Sequence, residues 1–190
     1  MLKVTLPEVT RALYGAYRLA RLDKAGMAYF EISAEGFWKS FFAAVIVAPL
    51  YVLFLLLHYQ AGDISAPFVR YISVEAISYV ITWVLFPLVM AGLTKFLRCE
   101  AKFIAYIVAY NWASVWQNAF YLPIQILIAA GVLSAEAGSS IGIAVLMAVL
   151  FYIWFITRTA LEVTASTAAA IVVIDLLLTV LVNGFALSMM

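Results

Sequence analysis

The sequence predicts an all-α integral membrane bundle: five transmembrane helices preceded by an N-terminal amphipathic helix. Three observations carry this. Apolar residues make up 67% of the 190-residue chain and charged residues only 11%, against about 45–50% and 25% in soluble domains. The apolar residues gather into long uncharged runs of bilayer-crossing length. Finally, ten of the eleven Lys and Arg residues fall on one side of a five-span path.

The N-terminal segment, residues 1–39, carries ten charges and no long apolar core near its start. It lacks the pattern of a signal peptide, so the first span is expected to act as its own insertion signal. Thr5 and Glu8 fit a capping box, with Pro7 tolerated in the first turn. On a helix drawn from there, Leu6, Val9, Leu13, Ala16, Tyr17 and Ala20 share one face, and Arg11, Arg18 and Arg21 gather opposite. Gly26 is the expected C-cap. Such a helix either lies in the interface, its arginines reaching anionic headgroups, or packs on the cytoplasmic ends of the spans. Ser33 is the expected N-cap of a helix leading into the first span, with Phe37 and Trp38 as interfacial aromatics.

The remaining residues, 40–190, hold the spans. A crossing helix needs about 20 mainly apolar residues. The uncharged runs place five, at approximately 40–60, 74–95, 103–131, 138–158 and 167–189. The third run, Phe103–Ala135, is too short for two crossings and a turn, so it reads as one long, tilted or kinked helix. With every backbone group needing an internal partner in lipid, helices are the only fit; the alternating strands of a barrel are missing. Basic residues then set the orientation. Six precede the first span, three (Lys95, Arg98, Lys102) sit in the second loop and Arg158 in the fourth, leaving Arg70 alone on the other side. The N-terminus is therefore expected inside and the C-terminus outside, as in a bacterial inner membrane. Four or six spans would spoil the alternation.

Polar groups at bilayer depth are the candidate binding residues. Span 3 carries Asn111, Ser114, Asn118 and Gln125 along one stripe, with Gln117 beside it. Span 2 carries Glu75, Ser78 and Thr82 with the same periodicity, and span 5 carries Asp175 roughly 12 Å deep. These groups either form a polar path for a cation or solute, or are interhelical glue. Arg158 is expected to pair with Glu162 at i+4. Pro49, Pro87 and Pro123 lie inside spans 1 to 3, and Gly138/Gly142 and Ala165/Ala169 offer small faces for close helix approach. Tyr59 and Tyr71 read as interfacial anchors at the outer side.

Enzymatic chemistry is not expected. The single cysteine, Cys99, and the single histidine, His58, leave no set for a metal centre, haem or nucleophile–base pair. No P-loop or G-x-G-x-x-G is present. No cofactor is implied, and a net charge of +1 gives no reason to expect nucleic acid. The function expected first is a membrane scaffold, adaptor or complex subunit, with a membrane protein or a second copy as partner. A small transporter or channel working around Asp175, Asn111 and Asn118 is the alternative, and it predicts a water-accessible cavity there. A lipid or quinone binder with a groove lined by Trp112, Trp116 and Tyr121 is the third.

A cytoplasmic N-terminal segment, five closely spaced spans and an outside C-terminus resemble the Yip family, in its bacterial branch. The stretch Glu35–Ala44, leading into a first span with Pro49, is also similar to bacterial membrane proteins of unassigned role. The resemblance implies membrane organisation or an adaptor role and carries no catalytic residues.

Overall fold

The computed structural model describes residues 3–62 and 64–190; Met1, Leu2 and Asp63 lie outside the described residues. Among the described residues the chain forms helices and no strand: α1 (Leu6–Ala20), α2 (Ala34–Ser40), α3 (Phe42–Gln60), α4 (Phe68–Phe96), α5 (Phe103–Ala129), α6 (Ala135–Leu161) and α7 (Ala165–Ser188). Four stretches are long and apolar enough to cross a membrane: Ala34–Gln60 (α2 with α3), α4, Glu136–Leu161 of α6, and α7. Only 17–22% of the residues in those apolar windows are buried against protein. Most of their side chains therefore need another apolar solvent, which marks a multi-pass membrane protein.

The helix α5 is the exception, and it explains the architecture. At 27 residues it matches the others in length, but Asn111, Gln117, Asn118 and Gln125 dilute its apolar character. It is also the helix most enclosed by protein: Tyr106, Ile107, Val108, Ala109 and Ala113 are at most 1% exposed. It packs between α3 and α6, with α1 and α2 against its first half; α7 lies on α6, and α4 leans on α7.

Several boundaries differ from the sequence reading. The helix α4 starts at Phe68, directly after Pro67, so Arg70 and Glu75 stand on the helix and not at its mouth. The third run ends at Ala129; Gly131 then takes φ 69, and Ser134 caps α6 by accepting the Ala137 N–H at 3.3 Å. Arg158 does not pair with Glu162. Glu162 leaves the helix in the left-handed region (φ 54) and binds Lys102, while Arg158 stacks 5.5 Å over Trp154. Gly138 packs on Ile128, but Gly142 faces open space, and Ala165 and Ala169 are exposed beside the buried Ala168.

The N-terminal helix is rotated from the expected face. Thr5 donates its backbone N–H and hydroxyl to Glu8 at 2.7 and 2.6 Å, closing the first turn as the capping pattern requires. The buried residues, however, are Val9, Ala12, Gly15, Ala16 and Leu19, whereas Leu6 is 75% and Tyr17 40% exposed. Small side chains win because the helix approaches its neighbours closely. Trp116 of α5 donates its indole N–H to the Leu13 carbonyl at 3.0 Å, and Tyr152 of α6 its hydroxyl to the Ala16 carbonyl at 2.6 Å. Gly26 is not the C-cap. The helix stops at Ala20, Leu22 takes φ 61, and Gly26 lies buried in the following 3-10 turn, Lys24–Tyr29, against Gly15. Ser33 does cap α2, accepting the Gly36 N–H at 2.9 Å. One helix turn later, the Lys39 ammonium meets Glu8 (2.6 Å), Glu35 (2.8 Å) and Glu31 (3.2 Å). This cluster fastens α1 and its return turn to the start of the bundle.

Candidate functional site

Four helices turn polar stripes toward one another. From α4 come Glu75, Ser78, Tyr79 and Thr82; from α5, Ser114, Gln117, Asn118 and Tyr121. Both sets repeat at intervals of three and four residues, so each occupies a single helix face. The helix α7 adds Asp175, Thr179 and Asn183 one turn apart, and α3 adds Val47, Tyr51, Phe54 and His58. Together with apolar residues of α6 they line an open cavity of about 500 Å³. It reaches the bundle end that carries His58, near the end of α3, and Leu187, near the end of α7.

At its far half α4 closes on α5 beneath the cavity. Phe86, Pro87, Met90 and Thr94 are buried there, with the Phe86 ring 4.5 Å from Tyr110 and 6.1 Å from Tyr106. Tyr106 and Thr157 join hydroxyls at 3.0 Å behind them. These residues form a closed floor. Above it, α4 stays clear of α5 and is tied instead to α3, through the Tyr79 hydroxyl on the Ala44 carbonyl at 2.6 Å.

Each carboxylate in the cavity is held by a tyrosine. The Tyr110 hydroxyl is shared between the two Asp175 oxygens at 2.9 and 3.0 Å, at the floor. The Tyr51 hydroxyl donates to Glu75 at 2.6 Å, nearer the mouth. Thr82 and Asp175 border the same narrow crevice, and Glu75 lies two turns further along α4, so the carboxylates are about 10 Å apart along the bundle. Among the described lining residues there is no Lys or Arg, and His58 supplies the one imidazole. In their ionised form, two carboxylates in a weakly screened interior without a basic partner attract positive charge.

The structure thus brings Asp175, Glu75, Ser114, Gln117 and Asn118 to one place, and leaves Asn111 out. Asn111 is fully buried two turns before Asn118 along α5, where its amide donates to the Ser40 hydroxyl at 2.9 Å and its Oδ1 has no partner among the described residues. Trp112, Trp116 and Tyr121 form no common groove: Trp116 faces α1, and Tyr121 lines the cavity. Tyr71 is no surface anchor, being 1% exposed with its hydroxyl on the Leu55 carbonyl at 3.4 Å.

The three arginines lie along α1. Arg18 is engaged by Asp23 and by the Tyr29 hydroxyl at 3.1 Å. Asp23 holds its pKa above the usual arginine value, while the Ala25 N–H and Arg18 hold the Asp23 carboxyl below its usual range. Arg11 reaches the Ala28 carbonyl at 3.4 Å, and Arg21 lies 5.9 Å over the Tyr17 ring.

Sequence reasoning missed Thr179 and Asn183, although their one-turn spacing from Asp175 was visible. It also missed Tyr51, Tyr79 and Tyr110, for which there was no signal, since tyrosines in spans are equally at home at the interface. No family model, no curated protein and no solved structure matches the chain.

Proposed function

We propose that this protein is a small membrane transporter whose solute enters the cavity between α3, α4, α5, α6 and α7. The observation that supports it is the cavity itself: apart from the Tyr51–Glu75 and Tyr110–Asp175 bonds, the polar stripes stand around about 500 Å³ of open volume. A scaffold or adaptor leaves that arrangement unexplained. In this reading α5 is the fifth crossing, carrying its polar residues toward the cavity while α3 and α6 shield its sides. The N-terminus and the floor face the cytoplasm, where ten of the eleven basic residues gather. The mouth then faces outward, and passage requires the Phe86–Tyr110–Asp175 floor to part. Arg11 and Arg21 stay on the exposed side of α1, where anionic headgroups would meet them.

Thiol labelling tests this. With Cys99 replaced by Ala, Thr179→Cys and Ser114→Cys proteins are reconstituted in liposomes and treated with a membrane-impermeant methanethiosulfonate cation. Both positions are expected to react from the mouth side. Resistance at both positions in folded protein would refute a solute-accessible cavity.

A further inference from the structure

We infer that the solute is a bulky, hydrophobic organic cation. This rests on the transporter reading above and specifies what the cavity takes.

Charge comes first. Glu75 and Asp175 present two carboxylates, and none of the described lining residues is Lys or Arg. An ionised carboxylate repels an anion, and a cation is the solute whose entry favours the ionised form of both. A bare metal ion is a poor fit as well. Calcium or magnesium needs six or more oxygens within about 2.0–2.6 Å, and two carboxylates about 10 Å apart cannot share one.

Size and wall chemistry agree. The volume of about 500 Å³ lies within the roughly 300–1,000 Å³ range of pockets for drug-sized ligands. Between the two carboxylates the walls are aromatic: Tyr51 and Tyr79 stack at 4.9 Å, and Tyr79 continues edge-on to Trp83 at 6.1 Å. Ring faces beside carboxylates bind diffuse positive charge, which they need not strip of a tight hydration shell. Gln117 supplies a further contact. Its amide nitrogen is buried without a partner among the described residues while the side chain borders the cavity, so it has a hydrogen bond to offer to an acceptor on the solute.

The test uses the full chain in detergent, with tetraphenylphosphonium and ethidium as cations and tetraphenylborate as the anion of matching shape. Saturable binding of one cation per chain is expected, without competition from tetraphenylborate. Glu75→Gln and Asp175→Asn should each weaken it at least tenfold. Tyr121→Leu, which removes an aromatic wall and leaves both carboxylates intact, should weaken it severalfold; this third variant keeps the test valid if a carboxylate variant fails to fold. The inference is overturned if neither cation binds, if tetraphenylborate competes equally, or if the folded variants bind like the parent. Any of these with Thr179→Cys still labelled removes the cation assignment alone. Failure of the labelling removes the transporter reading beneath it.

Discussion

Gly26→Ala is the most direct probe of how the N-terminal segment is attached. A methyl group at position 26 would sit 2.5 Å from the Gly15 carbonyl oxygen, 3.0 Å from Leu19 Cγ and 3.1 Å from Arg18 Cβ. Carbon–oxygen contacts settle near about 3.3 Å or beyond, so α1 and its return turn must separate by roughly 0.8 Å. The first obstacle is backbone and cannot swing aside. Forcing extra volume into such a contact costs about 1–3 kcal/mol. With a tenfold change for every 1.4 kcal/mol or so, the detached state should rise about 5- to 150-fold. Trypsin reads this population, because Arg18, Arg21 and Lys24 lie at the joint and cleavage follows the open fraction when reclosing is fast. Gly142→Ala is the control, since nothing lies within 4 Å of the added carbon. Cleavage of Gly26→Ala within twofold of the parent would show that the close contact does not hold the segment.

Three further outcomes follow from the same geometry. Hydrogen bonds from Lys39 and Thr5 hold the Glu8 carboxyl at about 2, well below the usual carboxylate range. Its contribution is thus complete above about pH 4.5 and is lost as pH falls toward 2. Trypsin is inactive there, so pepsin nicking of α1 should rise over that window, and Glu8→Gln should flatten the rise. Tyr152→Phe removes the 2.6 Å bond to the Ala16 carbonyl and should destabilise the α1 contact by about 1 kcal/mol, read as a several-fold gain in tryptic cleavage. Asn111→Leu deletes one bond to Ser40 together with an unpartnered amide oxygen. Its thermal stability should change by less than about 1 kcal/mol, with cation binding intact; loss of binding would return Asn111 to the site.

How much of this was legible depends on the range of the interaction. Runs and caps are local, so the helices, the Ser33 cap and the Glu8 bonds to Thr5 could be read from neighbouring residues. The stripes were half legible. The spacing of Glu75, Ser78 and Thr82, and of Ser114, Gln117 and Asn118, shows that each set shares a face, but not which way the face points. Asn111 shows the limit: it shares the stripe of Ser114 and Asn118, yet at its depth the stripe meets Ser40 instead of the cavity. The Lys39 cluster was not legible, because its carboxylates come from positions 8, 31 and 35 and no local pattern joins them. The face of α1 was misread for a related reason. Bulk suggested burial for Leu6 and Tyr17, whereas close approach selected Ala12 and Gly15 beside the expected Val9 and Ala16.

The polarity of α5 follows from its position. A helix in contact with lipid cannot carry Asn111, Gln117, Asn118 and Gln125 cheaply, because central polar groups oppose insertion. A helix enclosed by α3 and α6 is relieved of that constraint, since protein meets its sides. The same enclosure makes α5 dependent on its neighbours. On the proposed five-crossing reading, α5 inserted alone would present its amides to hydrocarbon, so its placement would have to be completed by packing on α3 and α6. The burial pattern is consistent with such an order: α5 buries Tyr106 to Ala109 almost completely, whereas α4 and α7 leave most of their apolar windows free of protein. Helices of the second kind can be inserted first and wait. On this argument the residues that make the cavity possible are also those that make α5 the least independent helix of the bundle. Apolar replacement of Gln117 and Asn118 together should then raise the yield of inserted protein while abolishing cation binding, and a fall in insertion yield would contradict the argument.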